Sequence, residues 1–579
     1  MTAEPNGYDE TGYISELNGG QYGGSSAESI GLVENPPAAQ QSRPLERLLS
    51  FALKPPVILL VLVAILASRG ITQGEFFYYG DETRHAMNGV FVRDFLSDLP
   101  LRHPLQYTYE YYAKYPALAF PHWPPLFYFV EGIFFLIFGL SPWASRLAIL
   151  GFALLAAYFW YRIAERFGPR YRAFLAAVIL ASLPFVLLHE RVTMLEIPAL
   201  AACLGAFHFW LKFAEKERRR DLLALVVAVV SAFLISQKAI FLVFLIGCDF
   251  LMERRFRLLK RADVWLALVA STLAVWPWYW LASRTMSTWT TRIIGHGSSY
   301  LLKSWNNTFY LTRLYGQLGP VLLALACVGL ILALVKRTRA HRTLLMWAVS
   351  GYVCFTLIIE KDARHAMLWI PPLVYLALMA LEALLVRREL GLIGTSALAL
   401  VFVVNGFRSE GPKLTGVEDV ARYVVSLPES DIIYYQGDLN GDFIFSVRKL
   451  DPEKRHMVAR EKQIVASRLG VRPREVLHTE GEVLNFFQTW GIRYAAVADV
   501  DELPGLGPVR KLLNSDQFEL LRSFPVHTEQ SDIPIHQIQV FRYRGELHRT
   551  QQNVTIPMMT IRHDIHANLA HLVGGPWPK

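Results

Sequence analysis

Charge is scarce in this chain. Asp, Glu, Lys and Arg make up 18% of its 579 residues, against roughly 25% in an ordinary soluble domain. Cysteine is scarcer still. Cys203, Cys248, Cys327 and Cys354 each sit in an apolar run, and none forms a CxxC or Cys/His pattern. A disulfide scaffold is excluded, and small buried hydrophobes are the plain reading. No cleavable signal is apparent. Residues 1–42 are polar and Gly/Ser-rich, and no apolar core begins before Pro55. Residues 1–50 are therefore expected to form a disordered cytoplasmic tail, with the first apolar run kept as a membrane anchor.

What is present is hydrophobic mass: 53% of residues, with a mean hydropathy of +0.28. That excludes a disordered chain or a collagen and points to a membrane protein with soluble mass attached. Apolar runs recur near 55–71, 145–164, 172–188, 197–214, 221–236, 239–253, 263–282, 317–335, 343–359, 366–386 and 391–405. Several are shorter than the roughly 20 residues that an upright helix needs. After residue 405, strand-like segments such as Asp431-Ile-Ile-Tyr-Tyr alternate with helical stretches. The expected architecture is a polytopic α-helical membrane protein of about eleven spans over 51–405. A soluble α/β domain over 406–579 follows it.

Residues 123–139 decide the topology. Counted as a span, they put the basic clusters near 166–172, 216–220, 254–261 and 336–342 outside a membrane whose inner face holds the N-terminus. Counted as a juxtamembrane helix of the first outer loop, they put all of these inside with Arg43, Arg47 and Lys54. The positive-inside rule prefers the second arrangement. Glu131 and Pro124-Pro125 fit a helix lying at the interface. A plasma or inner-membrane protein follows, with its N-terminus cytoplasmic and its C-terminal domain extracytoplasmic.

That topology gathers the polar residues on the outer face. A loop over about 72–144 carries Asp81, Glu82, Arg84, His85, His122 and Glu131. Shorter turns carry Arg191 and Glu196, Gln237 and Lys238, and Asp362, Arg364 and His365. Ionisable groups at membrane depth are costly and mark a site. Tyr79-Gly-Asp81-Glu82-Thr-Arg84-His85 opens a helix over about 82–97. Asp81 could be functional there, or could merely cap that helix.

An Asp-Glu-x-Arg sequence after the first span resembles the polytopic GT-C glycosyltransferases, in particular the protein O-mannosyltransferases and lipid A aminoarabinose transferases. The likeness continues in order. His122-Trp-Pro124-Pro125-Leu126 and Ser145-Arg146-Leu147 are followed by Arg191-Val-Thr-Met-Leu-Glu196-Ile-Pro198, Ser236-Gln-Lys238 and Asp362-Ala-Arg364-His365. It spans roughly residues 50–405. Glu196 stands where Asp is more usual, and no glycine follows Lys238-Ala239. The His-Trp before Pro124 replaces a Glu-Lys pair. The 406–579 domain matches no family motif.

The resemblance implies a polyprenyl-phosphate-linked sugar as donor and inversion at its anomeric carbon. Asp81 is then the candidate base, and Glu82 shares that role, orients Asp81 or helps to hold a metal. Lys238, Arg364 and Arg146 are candidates for the phosphate, with interfacial anchoring as the alternative. Glu196 could orient the acceptor or pair locally with Arg191. Arg84, His85, His122 and His365 complete the expected binding set. Metal use stays open, since no tight ligand spacing compels a divalent ion.

Two later patterns are discounted. Asp438-Leu-Asn440-Gly-Asp442 begins like a calcium loop, but its glycine is misplaced and Lys449 stands at the twelfth position. His563-Asp564-x-His566 with His571 lacks partner cysteines and reads as a solvated helix face. Asn306-Asn-Thr308 and Asn553-Val-Thr555 are formal glycosylation sequons.

The expected activity is transfer of a sugar from polyprenyl phosphate to a protein, lipid or cell-envelope glycan. A transporter or flippase for a lipid-linked substrate, or a non-catalytic scaffold, are the competing readings. The +9 net charge lies mostly in the inner turns, so no nucleic-acid partner is needed to explain it.

Overall fold

A computed structural model describes residues 54–573, apart from 78–79, 120, 287–303, 359–360, 412, 469–470, 500–504, 530–533 and 560. The expected N-terminal tail lies outside the residues described. The helices run α1 Pro55–Ser68, α2 Asp81–Asp98, α3 Pro104–Lys114, α4 Leu126–Phe138, α5 Pro142–Ala164, α6 Arg170–Ser182, α7 Pro184–Glu190 and α8 Glu196–Lys216. They continue as α9 Arg219–Ile235, α10 Phe241–Met252, α11 Ala262–Thr285, α12 Ser304–Leu318, α13 Pro320–Lys336, α14 Arg339–Leu357, α15 Ile370–Leu384 and α16 Arg388–Arg408. Proline opens α1, α3, α5, α7 and α13, where its missing N–H is not needed and its fixed φ suits the first turn.

Each of the eleven expected spans falls on a helix or a helix pair. By length and apolar composition, α5, α8, α11 and α16 are each long enough to cross a bilayer. The pair α6–α7, bent by 67°, is a fifth if it counts as one span. The other expected spans are shorter or more polar than that measure allows. Helix α4 has 13 residues, about 20 Å at the α-helical rise. That is well short of the hydrocarbon thickness. One of its faces, with Glu131, is buried against α2, while Phe129, Leu136 and Ile137 are exposed. Its exposed side is therefore apolar, and in length it ranks with α1, α13 and α15 among the shorter apolar helices.

The remaining chain builds β1 Leu414–Thr415, α17 Val417–Val425, β2 Ile432–Gln436, α18 Asn440–Leu450, β3 Met457–Arg460, β4 Val465–Arg468, β5 Val471–Glu475, α19 Glu480–Trp490 and β6 Tyr494–Ala498. Then come α20 Gly507–Leu513, β7 Phe518–Pro525, β8 His527–Thr528, β9 Gln537–Tyr543, β10 Asn553–Ile556, β11 Ile565–Asn568 and α21 Leu569–Leu572. The main sheet has the order β3-β2-β6-β9-β7. β2 is parallel to β3 and β6, and β9 is antiparallel to β6 and β7. His566 lies on a strand paired with β10, so the expected helix face around it is corrected. Cross-strand pairing takes the backbone groups that a helix would have used. Asp438 is exposed in a loop whereas Asp442 is buried within α18, so the two do not share a calcium loop.

Two apolar cores result. One lies among the helices from α1 to α16. The other joins α2 and α3 of the first loop to the segment from Leu414 to Leu572. α16 runs through the expected boundary at 405/406 to Arg408, and packing joins the chain beyond it to α2 and α3. A buried bidentate pair fastens this junction: Arg448 Nε and Nη2 donate to Asp94 at 2.8 and 2.9 Å. Asp94 also accepts from Tyr111 at 2.7 Å. α18 lies close on α2: a Cβ at Gly441 would come 1.9 Å from Thr83 Oγ1. Lys114 donates to the carbonyls of Lys454 and Leu572.

Candidate functional site

The site begins where α2 begins. Gly80 precedes it with φ of 74°, a conformation that glycine adopts without cost. No side chain caps the helix, so the capping role weighed for Asp81 is not what the geometry gives. Asp81 instead faces two guanidinium groups, Arg84 Nη1 and Arg364 Nη2, each at 3.4 Å.

Two short 3₁₀ turns place the cations. The Ser236 side chain accepts from Lys238 N at 3.3 Å and opens Gln237–Ile240. The Asp362 side chain accepts from Arg364 N at 2.9 Å and opens Ala363–Leu368. Lys238 Nζ then meets Glu196 Oε1 at 2.5 Å, and Arg364 Nε stands 3.8 Å from the same oxygen. Arg364 Nε also donates to Asp362 at 2.7 Å. Burial alone would raise Asp362, but the adjoining Arg364 holds its carboxyl below the usual range. Glu196 thus pairs with Lys238 and Arg364. Arg191 instead donates to the carbonyls of Leu66, Gly406 and Ser409.

The imidazoles sit around this cluster. His85 Nδ1 lies 2.8 Å from the Tyr128 hydroxyl, with its ring 4.3 Å from that of Trp123. His365 Nδ1 lies 3.0 Å from the Tyr310 hydroxyl. Burial pushes His85 down to about 4 and His365 to about 3, so both are neutral hydrogen-bonding groups near pH 7. The His122 carbonyl accepts from Gln237 at 2.6 Å.

These groups line one cavity of about 1320 Å³. Asp81, Arg84, His85, His122, Glu196, Lys238, Arg364 and His365 all reach it. Two expected residues do not. Glu82 is fully buried, and its carboxylate accepts from Phe77 N at 2.8 Å and Thr193 N at 2.7 Å. It ties the start of α2 to the turn before α8. Arg146 donates to the carbonyls of Gln73 and Glu75 and holds the 71–75 loop. Glu131 is also buried, bound by Ser145 at 2.5 Å. Among the described residues no group of three or more His, Cys, Asp or Glu is arranged to hold a metal ion.

The cavity extends from the charged cluster along apolar side chains. Val229 and Phe233 come from α9, Val243 and Phe244 from α10, Leu268, Val275 and Trp276 from α11, and Leu357 from α14. α11 is only lightly packed, with Trp265, Leu266, Leu273 and Trp280 exposed. The cavity also takes Asp438, Asn440 and His563, which stood in patterns discounted as metal sites, and Tyr109, Tyr112, Arg460, Glu461 and Lys462, which sequence reasoning missed. Nothing local in the sequence marks the latter, because distant segments bring them together.

Residues 122–280 match the family model described as dolichyl-phosphate-mannose-protein mannosyltransferase. No curated protein sequence matches the chain. Among solved structures, ArnT from Cupriavidus metallidurans bound to undecaprenyl phosphate is 16% identical with a TM-score of 0.58, covering 85% of this chain and 99% of that one. ArnT from the same organism in the apo state is 16% identical with a TM-score of 0.57, covering 84% and 97%. The fold is that of ArnT. The likeness read from short motifs over residues 50–405 is matched by a likeness of fold that covers 85% of the chain. The family match on 122–280 begins at His122, just ahead of α4, and runs through Glu196 and Lys238 into α11.

Proposed function

We propose that the protein is an integral-membrane glycosyltransferase that moves a sugar from a polyprenyl-phosphate donor to an acceptor on the extracytoplasmic face. One observation carries the reading. A carboxylate, Asp81, and two cations, Lys238 and Arg364, meet at the charged end of a cavity that continues as an apolar groove. The groove suits a lipid tail, and the cations suit its phosphate. In this reading the membrane topology is the one that the inner basic turns favour.

An acceptor hydroxyl attacks the anomeric carbon on the face opposite the phosphate. The new C–O bond forms as the bond to the phosphate oxygen breaks, and the configuration inverts. Asp81 takes the hydroxyl proton. The departing polyprenyl phosphate keeps the electron pair, and Lys238 and Arg364 stabilise its charge. Glu196 and Asp362 hold these cations in place before the donor arrives, which limits reorganisation. His85 and His365, both neutral, are suited to hydrogen-bonding sugar hydroxyls.

The test is direct. Purified full-length protein in lipid nanodiscs is offered a panel of polyprenyl-phosphate sugars with membrane extract as acceptor. Transfer of label from one donor supports the reading. Binding of every donor without transfer or donor hydrolysis would argue against an enzyme.

A further inference from the structure

Tyr109, Tyr112, Asp438, Asn440, Lys462 and His563 form a second limb of the cavity. β2 lies between β3 and β6 and is parallel to both. The chain leaves β2 for β3 on one side and later reaches β6 on the other. In open parallel sheets such a reversal leaves a crevice beyond the carboxyl ends of the strands, where ligands bind. Here those ends are the loop of residues 437–440 after β2 and the segment 460–462 at the end of β3, and residues from both line the cavity. Gly437 has φ of 143°, and a Cβ there would come 2.6 Å from Ala498 Cβ. The loop is thus drawn tightly against β6.

α3 lines the same limb. Tyr112 OH lies 3.5 Å from Lys462 Nζ. Tyr109 meets His563 edge-on, with ring centroids 5.6 Å apart and a hydrogen bond of 3.1 Å. The limb carries little net charge. Arg460 and Glu461 pair at 2.6 Å, and Asp438 and Lys462 add one charge of each sign to the lining. A nearly neutral limb of aromatic rings and short polar groups suits a sugar ring. Its C–H face packs on aromatic rings, and its hydroxyls bond to Asp438 and Asn440. An acidic headgroup would find no excess of positive charge among these four groups.

We propose that this limb is the acceptor subsite and that it takes a neutral glycan, presenting one hydroxyl towards Asp81. The proposal rests on the glycosyltransferase reading above. Its test uses full-length protein in nanodiscs. Saturation-transfer NMR follows methyl glycosides of glucose, galactose, mannose and arabinose, and a separate titration follows undecaprenyl phosphate. At least one glycoside is expected to bind. Asp438→Asn and Tyr109→Leu should each weaken it at least fivefold while undecaprenyl phosphate affinity stays within twofold. Lys238→Met should do the reverse.

The proposal is overturned if no glycoside binds, or if binding is equal in Asp438→Asn, Tyr109→Leu and wild type. It is also overturned if inorganic phosphate binds this limb in a Lys462-dependent way and displaces the glycoside. Wild type that binds a glycoside here but not undecaprenyl phosphate would instead sink the donor reading.

Discussion

Replacing Lys238 with methionine should weaken undecaprenyl phosphate binding by about thirtyfold. Two unit charges 4 Å apart interact by about 4 kcal/mol at an effective dielectric of about 20. Lys238 is already partly neutralised by Glu196 at 2.5 Å, and desolvating the phosphate offsets more. A net loss of about 2 kcal/mol remains, which is about thirtyfold in affinity. The same reasoning gives Glu196→Gln the opposite sign. It removes the carboxylate that competes with phosphate for Lys238 and Arg364, so affinity should rise about tenfold, which is about 1.4 kcal/mol. Equilibrium binding of labelled undecaprenyl phosphate in nanodiscs reads both. Equal affinities in all three proteins, or weaker binding by Glu196→Gln, would refute the placing of the phosphate at this cluster.

Three further outcomes follow from the junction between the first loop and the C-terminal segment. Arg448→Met leaves the buried Asp94 without its bidentate partner and should cost about 3 kcal/mol, read as a lowered thermal midpoint; adding Asp94→Leu should recover part of it. Gly441→Ala drives a Cβ into Thr83 and should cost about 1–3 kcal/mol, with Thr83→Ala giving partial relief. Glu75 accepts from Gly416 N and Glu418 N at 3.0 Å each, and burial raises its carboxyl from 4.5 to about 7. The folded state then holds a proton that the unfolded chain has lost. This group's contribution is present below pH 4.5 and is lost as pH rises to about 7. Glu75→Gln should remove that slope from the pH dependence of the thermal midpoint.

Much of the helical part was legible because each helix writes its own apolar run. The turns carrying Glu196, Lys238 and Arg364 were legible because charge is rare there and stands out. Neighbouring acids were harder to separate. Asp81 and Glu82 are adjacent, yet helical geometry points one into the cavity and the other into the core. Glu82 shows its role only through amides at Phe77 and Thr193. For Arg146 the sequence leaves a phosphate contact and interfacial anchoring both open, while its partners are loop carbonyls that no motif records. The junction was illegible for a related reason. Asp94 and Arg448 are 354 residues apart, and an isolated Asp on a helix carries no sign of a partner that distant. The cavity limb from Asp438, Lys462 and His563 has the same origin.

The central claim is tested most directly by one comparison. Wild type and Asp81→Asn are assayed side by side in nanodiscs for undecaprenyl phosphate binding and for transfer from a polyprenyl-phosphate sugar. Asparagine keeps the shape and removes the proton acceptor. The account expects binding within about threefold of wild type and transfer lowered about 10²–10⁴-fold. Equal transfer by the two proteins would contradict it.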